Sequence, residues 1–240
     1  MPKNWLPLES NPDVINDYVQ KMGLDVTKMS FHDVMSTEEW ALGMIPRPVL
    51  AVIMLFPIKP STEEHRKAET ERIRTDGQIC SEKCYYMNQT VGNACGTVGI
   101  LHALGNVRSH ALYNVTDGSY LQEFYATTEK MTPDEIAAYL EADEKIEEIH
   151  ASAAEEGQTD APAPDAPDVD THFVCFSCVD GCLYELDGRK GCPVNHGEVS
   201  EGMLLETAID VVKQFMARDP EEVRFTIMAL ADTESSLEEE

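Results

Sequence analysis

A run of eight almost continuously apolar residues at positions 49–56, closed by Pro57, most constrains how this chain can fold. A run of that length without polar alternation is typical of a central strand that is buried on both faces. It is far too short to span a bilayer as a helix. We therefore expect other elements of the chain to cover both faces of a sheet built around this strand.

Other strand patterns supply partners for the central strand. Residues 171–179 predict a strand, Asp180-Gly181 a turn, and residues 182–186 the returning partner of a hairpin. Residues 223–230 predict a last strand. Because helical patterns lie between these strands, the sequence predicts one α/β or α+β domain.

The predicted helices are marked by capping residues and apolar stripes. Asn11 as N-cap and Pro12 at the first helical position begin the first helix. A capping box at Thr132 and Glu135 begins another. Further helices are predicted over residues 93–104, with Asn93 as the N-cap, and over residues 117–130 and 198–217. Residues 61–74 are charged throughout and predict a solvated loop or weak helix.

The net charge limits the class of partner. The chain has 18 Lys and Arg residues against 44 Asp and Glu residues, a formal net charge of −26. Such a charge repels phosphate backbones and anionic lipid, so we expect no nucleic-acid partner and no membrane partner. It favours either a basic protein partner or a role in solubility alone.

Cysteine usage and the N-terminus indicate the compartment. The N-terminus lacks a basic segment followed by an apolar stretch, which predicts no secretory signal. Seven cysteines, an odd number, indicate free thiols in a reducing environment. We therefore expect a cytoplasmic protein, with the nucleus left open as a further location.

The segment around Cys95 carries the strongest chemical signal. Cys95 lies in the first turn of a predicted helix, where unpaired N–H groups and the helix dipole favour a thiolate. The small neighbours Gly92, Ala94 and Gly96 leave its sulfur accessible. The pattern indicates a nucleophilic cysteine, and a buried structural cysteine beside a tight turn is the alternative.

A nucleophilic cysteine needs a base that is close in space. His172 begins a predicted strand, and Asp187 ends the next strand of the same hairpin, where it could orient the imidazole. His102 lies two helical turns after Cys95, about 10 Å along the axis, which is too far to pair with it. Gln89 could donate to an oxyanion together with the Cys95 N–H.

Cysteine spacing leaves a zinc module as a rival interpretation. Cys175, Cys178 and Cys182 have ligand-like spacing, and so do Cys80 and Cys84. Cys175 and Cys178, however, lie three residues apart on a predicted strand and should point to opposite faces. We therefore expect no metal site, and nothing in the sequence predicts another cofactor.

Four short segments carry a resemblance to a known family: Gln89, Asn93-Ala94-Cys95-Gly96-Thr97, Thr171-His172-Phe173 and Leu186-Asp187-Gly188-Arg189. In this order they resemble the ubiquitin carboxyl-terminal hydrolases, which are cysteine peptidases with a papain-like site. Residues 4–12, 45–49, 156–159 and 219–225 are also similar, so the resemblance covers nearly the whole chain. It implies helices on both sides of a small central antiparallel sheet, a papain-like site and a knotted backbone.

The resemblance implies a role for each residue of the site. Cys95 would be the nucleophile, His172 the general base and later acid, Asp187 the residue that orients the imidazole, and Gln89 the oxyanion-stabilising amide. The implied reaction cleaves the bond after the last glycine of ubiquitin through a thioester and releases small or unfolded adducts. A catalytically silent ubiquitin-binding module and a generic papain-like peptidase are the alternatives.

Ubiquitin, with its basic C-terminal tail, is the implied partner, a related modifier is left open, and we expect a monomer. The resemblance implies one catalytic hydrolase domain over residues 1–231, with a crossover loop at about 151–170. Residues 232–240 go beyond the usual ending of the short family members, and their acidic composition predicts a disordered tail. The substrate-binding residues that it implies come from three segments. They are Leu8, Glu9, Ser10, Asn11, Pro12, Asp13, Ala154, Glu155, Glu156, Gly157, Gln158, Thr159, Asp160, Ala161, Glu222, Val223, Arg224, Phe225, Thr226 and Ile227.

Overall fold

A six-stranded sheet forms the centre of the molecule in the computed structural model, which describes residues 3–157 and 169–233. Its strands are β1 (Met29–Asp33), β2 (Val49–Pro57), β3 (Thr171–Val179), β4 (Cys182–Leu186), β5 (Val194–Glu198) and β6 (Thr226–Asp232). Their order across the sheet is β1-β6-β2-β3-β4-β5, and every neighbouring pair is antiparallel. The predicted antiparallel sheet is therefore confirmed.

Helices cover both faces of the sheet, as predicted. They are α1 (Pro12–Lys21), α2 (Glu39–Leu42), α3 (Pro60–Asp76), α4 (Cys95–Asn106), α5 (Tyr120–Thr128), α6 (Pro133–Ala142), α7 (Glu144–Glu155) and α8 (Leu204–Ala217). One hydrophobic core contains the buried faces of α1, α4, α5 and α6, and a second contains that of α8. Within the described ranges no helix is long and apolar enough to cross a membrane.

Strand β2 is the central strand that the apolar run predicts. It pairs with β3 on one side and with β6 on the other. Successive side chains point to opposite faces, so Ile53 belongs to the first core while Val52 and Met54 belong to the second. This burial on both faces is the reason why the run contains no polar residue.

Residues 61–74, for which the sequence predicts a solvated loop or a weak helix, lie in a regular helix, the 17-residue α3. Pro60 occupies its first turn, and the Thr62 hydroxyl accepts a hydrogen bond from the Lys59 N–H at 2.8 Å. Only Thr62 of this helix is buried. The sequence underestimated α3 because the helix has no apolar stripe.

Regular structure extends into both the predicted loop at 151–170 and the predicted tail at 232–240. Residues 151–155 are helical, because Ile146, His150 and Ala153 form the buried face of α7 and extend it to Glu155. Asp232 belongs to β6, and the Thr233 N–H donates to the Lys28 carbonyl at 3.1 Å. The ordered chain therefore continues past residue 231. Residues 158–168 of the predicted loop and residues 234–240 of the predicted tail lie outside the described residues.

Candidate active site

Cys95 is the first residue of α4 and carries a free, partly exposed thiol. The helix is capped by Ala94, which has no side-chain acceptor for the N–H groups of the first turn. The prediction that Asn93 is the cap is wrong. The Asn93 amide donates instead to the Trp5 carbonyl at 3.1 Å, and its backbone has a φ of 57°. The first-turn N–H groups are thereby left to the sulfur.

His172 and Asp187 meet because β3 and β4 form a hairpin. The Nε2 of His172 donates to Oδ1 of Asp187 at 2.7 Å, and each side chain is 3% exposed. The Arg189 N–H donates to the same carboxylate oxygen at 2.9 Å, and the Tyr86 hydroxyl donates to the Asp187 backbone carbonyl at 2.8 Å. These contacts hold the carboxylate in one orientation toward the imidazole.

The imidazole connects this carboxylate to the cysteine. Because Nε2 of His172 is taken by Asp187, Nδ1 is the nitrogen that remains for the Cys95 sulfur, with which the imidazole interacts electrostatically. The predicted grouping of Cys95, His172 and Asp187 is therefore present in the structure. Covalent catalysis by a cysteine requires a nucleophile, a base and a group that orients the base, and the residue types of this cluster are suited to these three roles.

The electrostatics of the cluster favour a thiolate beside an imidazolium. Burial lowers the pKa of His172, but the Asp187 carboxylate and the Cys95 sulfur outweigh it and raise the pKa to about 9. Burial raises the pKa of the Cys95 thiol, but His172 and the N–H groups of Phe173 and Gly96 outweigh it, so this pKa is lowered. Burial also opposes ionisation of Asp187, yet His172 holds the pKa of that carboxyl well below its usual range.

Gln89 lies beside the turn that follows β4. Its backbone N–H donates to the Gly188 carbonyl at 2.9 Å, and its Nε2 donates to the Val91 carbonyl at 3.0 Å. That bond uses one of the two amide hydrogens and leaves the other for an oxyanion. A Cβ at Gly188 would lie only 2.9 Å from the Gln89 Cβ, so glycine is needed at this approach.

The N-terminal segment predicted to bind substrate packs on the start of α4. A Cβ at Gly96 would lie 3.1 Å from Cδ1 of Leu8. The Ser10 hydroxyl accepts a hydrogen bond from the Thr226 hydroxyl at 2.6 Å, which joins this segment to β6. A Cβ at Gly157 would lie 2.8 Å from Oε2 of Glu9, so the start of the predicted loop is also adjacent. The other two predicted segments therefore both contact the N-terminal segment, which itself packs beside the start of α4.

Not every predicted substrate-binding residue reaches the surface. The side chains of Leu8 and Ile227 are 6% and 4% exposed within the two cores and offer a partner little surface. Val223 is 84% exposed, and Glu222 is held by Lys59 and Arg224. Four of the predicted positions lie outside the described residues, namely Gln158, Thr159, Asp160 and Ala161.

Sequence reasoning missed two residues that support the site from behind. His102 is fully buried; its Nε2 accepts from the Met87 N–H at 3.1 Å, and its Nδ1 donates to the Leu186 carbonyl at 3.2 Å. The ring of Tyr86 stacks on His102, with 5.1 Å between ring centroids. These contacts connect the segment before Gln89 with the end of β4. The sequence signal that could have identified His102 is its position within the otherwise apolar helix α4.

Cys175 and Cys178 of the rival zinc module lie on opposite faces of the sheet, as the strand spacing predicts. Cys175 is buried in the first core, whereas Cys178 packs against the second core on the other face of the sheet. In the part of the chain that the structure describes, no group of three His, Cys, Asp or Glu side chains could hold a metal ion.

A helix-start cysteine joined to a buried His–Asp pair defines a cysteine hydrolase with a papain-like site. The model of the family "Ubiquitin carboxyl-terminal hydrolase, family 1" matches residues 5–217. The chain belongs to this family.

Individual relatives agree with this assignment. Ubiquitin carboxyl-terminal hydrolase 3 of Arabidopsis thaliana is 44% identical over 229 residues, which are 95% of this chain and 94% of that protein. A ubiquitin carboxyl-terminal hydrolase of Drosophila melanogaster is 42% identical over 226 residues, which are 94% of this chain and 96% of that protein.

A solved structure shares the fold. The catalytic domain of UCH37 from Trichinella spiralis, bound to ubiquitin vinyl methyl ester, superposes with a TM-score of 0.73 at 24% sequence identity. The match covers 95% of this chain and 96% of that chain. The agreement therefore extends over the whole architecture.

Proposed function

We propose that this cysteine-type hydrolase cleaves the bond after the C-terminal glycine of ubiquitin, with Cys95 as nucleophile, His172 as base and acid, and Asp187 as the orienting group. The observation that carries the proposal is the buried hydrogen bond between His172 and Asp187, together with the electrostatic interaction of the same imidazole with the Cys95 sulfur. Ubiquitin as the substrate is supported by family membership and by the names of relatives above 40% identity.

Acylation begins from the thiolate–imidazolium pair. The Cys95 sulfur attacks the carbonyl carbon of the terminal glycine and forms the new C–S bond, while the carbonyl electron pair moves to the oxygen. The second amide hydrogen of Gln89 and the Cys95 N–H are the donors available to this oxyanion. Collapse of the tetrahedral intermediate breaks the bond to the leaving group, which takes its proton from the His172 imidazolium.

Deacylation uses the same imidazole in the opposite direction. The neutral His172 removes a proton from water, and the water oxygen attacks the thioester carbon. The C–S bond then breaks, so ubiquitin leaves with a free C-terminal carboxyl group and Cys95 returns to the thiolate. Asp187 stabilises the imidazolium formed in this step and fixes the nitrogen that faces the water.

Charge supports recognition of a basic tail. The chain has a net charge of −26, and carboxylates bind guanidinium groups with paired hydrogen bonds. The predicted substrate-binding segments include acidic residues near the point where the end of α7 meets the N-terminal segment, such as Glu9 and the exposed Glu155. The arginine-rich tail of ubiquitin is a fitting counterpart, and a related modifier with the same C-terminal glycines is a second candidate.

The predicted crossover loop bears on the size of the leaving group that the site accepts. The last turn of α7 is held near α1 by an ion pair in which Lys21 Nζ lies 2.5 Å from Glu156 Oε1. Gly157 then follows beside Glu9. Residues 158–168, which follow, lie outside the described residues; the resemblance of this stretch to the crossover loop of the family supports a preference for small or unfolded adducts over folded ones.

The proposed setting is a monomer in a reducing compartment. All seven cysteines are free thiols, and the reaction needs the Cys95 sulfur reduced. This supports the cytoplasm, with the nucleus as a further location.

Hydrolysis of a fluorogenic amide at the C-terminus of ubiquitin tests the proposal. We expect turnover by the wild type, none by Cys95→Ala, and normal turnover by Cys80→Ala, which removes an exposed thiol outside the site. A covalent ubiquitin probe should label residue 95, as mass spectrometry of the labelled peptide would show.

The same assay separates the alternatives. A wild type that binds ubiquitin without turnover would identify a binding module and overturn the proposal. Equal rates on short unrelated peptides and on ubiquitin adducts would identify a generic peptidase. Cys95→Ser should lose turnover while it keeps ubiquitin binding.

A further inference from the structure

Helix α3 is held to the rest of the fold mainly through charged side chains. Thr62 is its only buried residue, so no apolar face fixes its position. Its Glu63 contacts Arg189 at 3.0 Å between Oε1 and Nη2, and its Glu69 contacts Lys190. Both cations belong to the turn after β4. The helix therefore docks on the turn that begins with Asp187.

Lys190 is the centre of this docking contact. Its side chain is only 5% exposed and lies between two carboxylates, Glu69 on α3 and Glu185 on β4. The Lys190 Nζ lies 2.5 Å from Oε1 of Glu185, which is 1% exposed. Nε2 of His196 lies 2.9 Å from the other Glu185 oxygen. Removing one member of such a buried ion group leaves its partner unpaired, which is costly.

Further charged groups surround this cluster. Arg218 on the segment after α8 and His65 on α3 both interact electrostatically with Glu69 and Glu185. Two carboxylates are thus faced by two cations, Lys190 and Arg218. The Lys190 side chain is thus held by contacts with two elements, α3 and β4, whereas a single surface ion pair would hold it only weakly.

Lys190 is also bonded to the catalytic turn through its backbone. Its N–H donates to the Asp187 carbonyl at 2.9 Å, and the Arg189 N–H donates to Oδ1 of Asp187. The residue whose side chain holds α3 thus closes the turn that carries the carboxylate. A shift of Lys190 would displace the Asp187 oxygen that His172 contacts.

We propose that Lys190 is a positioning residue: by joining Glu185 on β4 to Glu69 on α3, it fixes the turn that presents Asp187 to His172. Docking of α3 thereby sets the orientation of the imidazole. This inference rests on the catalytic role proposed above for Asp187. Lys190 does not touch the substrate, so its loss should alter turnover rather than ubiquitin affinity.

Glu69→Gln is the first test, because it removes one charge of the cluster and keeps the shape of the side chain. We expect kcat on the ubiquitin amide to fall roughly tenfold, less than the 10²-fold typical of a 1 Å misplacement, with KM unchanged. The alkaline limb of kcat should move to lower pH, because a looser Asp187 contact stabilises the His172 imidazolium less. The control is Glu71→Gln, which removes the same charge from an exposed pair with Arg74 on the same helix.

Lys190→Met and Lys190→Arg form the second test. Methionine removes the ammonium and should lower kcat more than Glu69→Gln does, whereas arginine keeps the charge and should restore part of the rate. Titration with the covalent ubiquitin probe gives the fraction of folded sites, and kcat is expressed per labelled site.

The outcomes distinguish the two proposals. Wild-type kcat per labelled site and an unmoved alkaline limb in both Glu69→Gln and Lys190→Met would overturn the positioning role. An inert wild type would overturn the proposed function and the positioning role together.

Discussion

Nε2 of His172 lies 2.7 Å from Oδ1 of Asp187, although the two residues are 15 positions apart in the chain. Both side chains are 3% exposed, so water competes little for the contact. The carboxylate therefore stabilises a positive imidazole beside the Cys95 sulfur, and several measurable properties depend on this pair.

The rate should depend on pH through two groups. The active form needs the Cys95 thiolate and the His172 imidazolium together. The imidazolium is lost as pH rises through about 9, and the thiolate is lost as pH falls through the lowered pKa of Cys95. We expect a bell-shaped profile of kcat/KM on the ubiquitin amide, with its alkaline limb near pH 9. A rate that keeps rising above pH 9 would contradict this assignment.

Asp187→Asn should keep the shape of the pair but remove its charge. The amide no longer stabilises the imidazolium, so we expect the pKa of His172 to fall and kcat to drop by roughly 10²- to 10⁴-fold. The alkaline limb should move to lower pH in the same variant. Asp180→Asn, in the exposed turn between β3 and β4, is the matched control and should leave the profile unchanged.

Gln89→Ala should lower kcat by roughly 10²-fold, a typical loss for one oxyanion donor. Gly188→Ala should produce a smaller loss of the same kind, because its Cβ would push against Gln89 at 2.9 Å. Steady-state kinetics of both variants should show the change in kcat with little change in KM. Near-normal turnover in Gln89→Ala would contradict the role of Gln89 as an oxyanion donor.

Two buried histidines should make the fold sensitive to acid. Burial lowers the pKa values of His102 and His150 to about 4, whereas an unfolded histidine titrates near 6.5. The unfolded chain therefore binds more protons below pH 6.5, and the free energy of unfolding falls as pH decreases toward 4. Urea unfolding at pH 7 and pH 5 should differ by about 2 kcal/mol per histidine. Equal free energies of unfolding at pH 7 and pH 5 would contradict the burial of His102 and His150 in their neutral forms.

Local signals in the sequence predicted much of the fold. The apolar run gave β2, and the capping box at Thr132 gave α6. Strands β1 and β5 escaped prediction because neither contains an apolar run or follows a tight hairpin turn, as the equally short β4 does. Strand β1 is also paired with β6, some 200 positions away. Helix α3 was underestimated because its anchors, Arg189 and Lys190, lie in a distant turn. The backbone knot implied by the resemblance stays a prediction.

The reacting residues of the site were easier to predict than the residues that support them. Cys95 could be recognised at a helix start, and the hairpin placed His172 opposite Asp187. His102 and Lys190 have functions only through contacts with β4, which no spacing in the sequence displays. The predicted substrate-binding segments lie together around the N-terminal segment, and their contact with ubiquitin stays a prediction.

The missing side-chain cap of α4 has a consequence for the reaction cycle. In the resting enzyme the sulfur of Cys95 accepts the hydrogen bond from the Gly96 N–H that a capping side chain would otherwise take. When the sulfur attacks, its negative charge passes to the substrate oxygen, and its demand for that donor disappears. The start of α4 can therefore stabilise the thiolate through the Gly96 N–H and then the intermediate through the Cys95 N–H, without any change in the position of the helix.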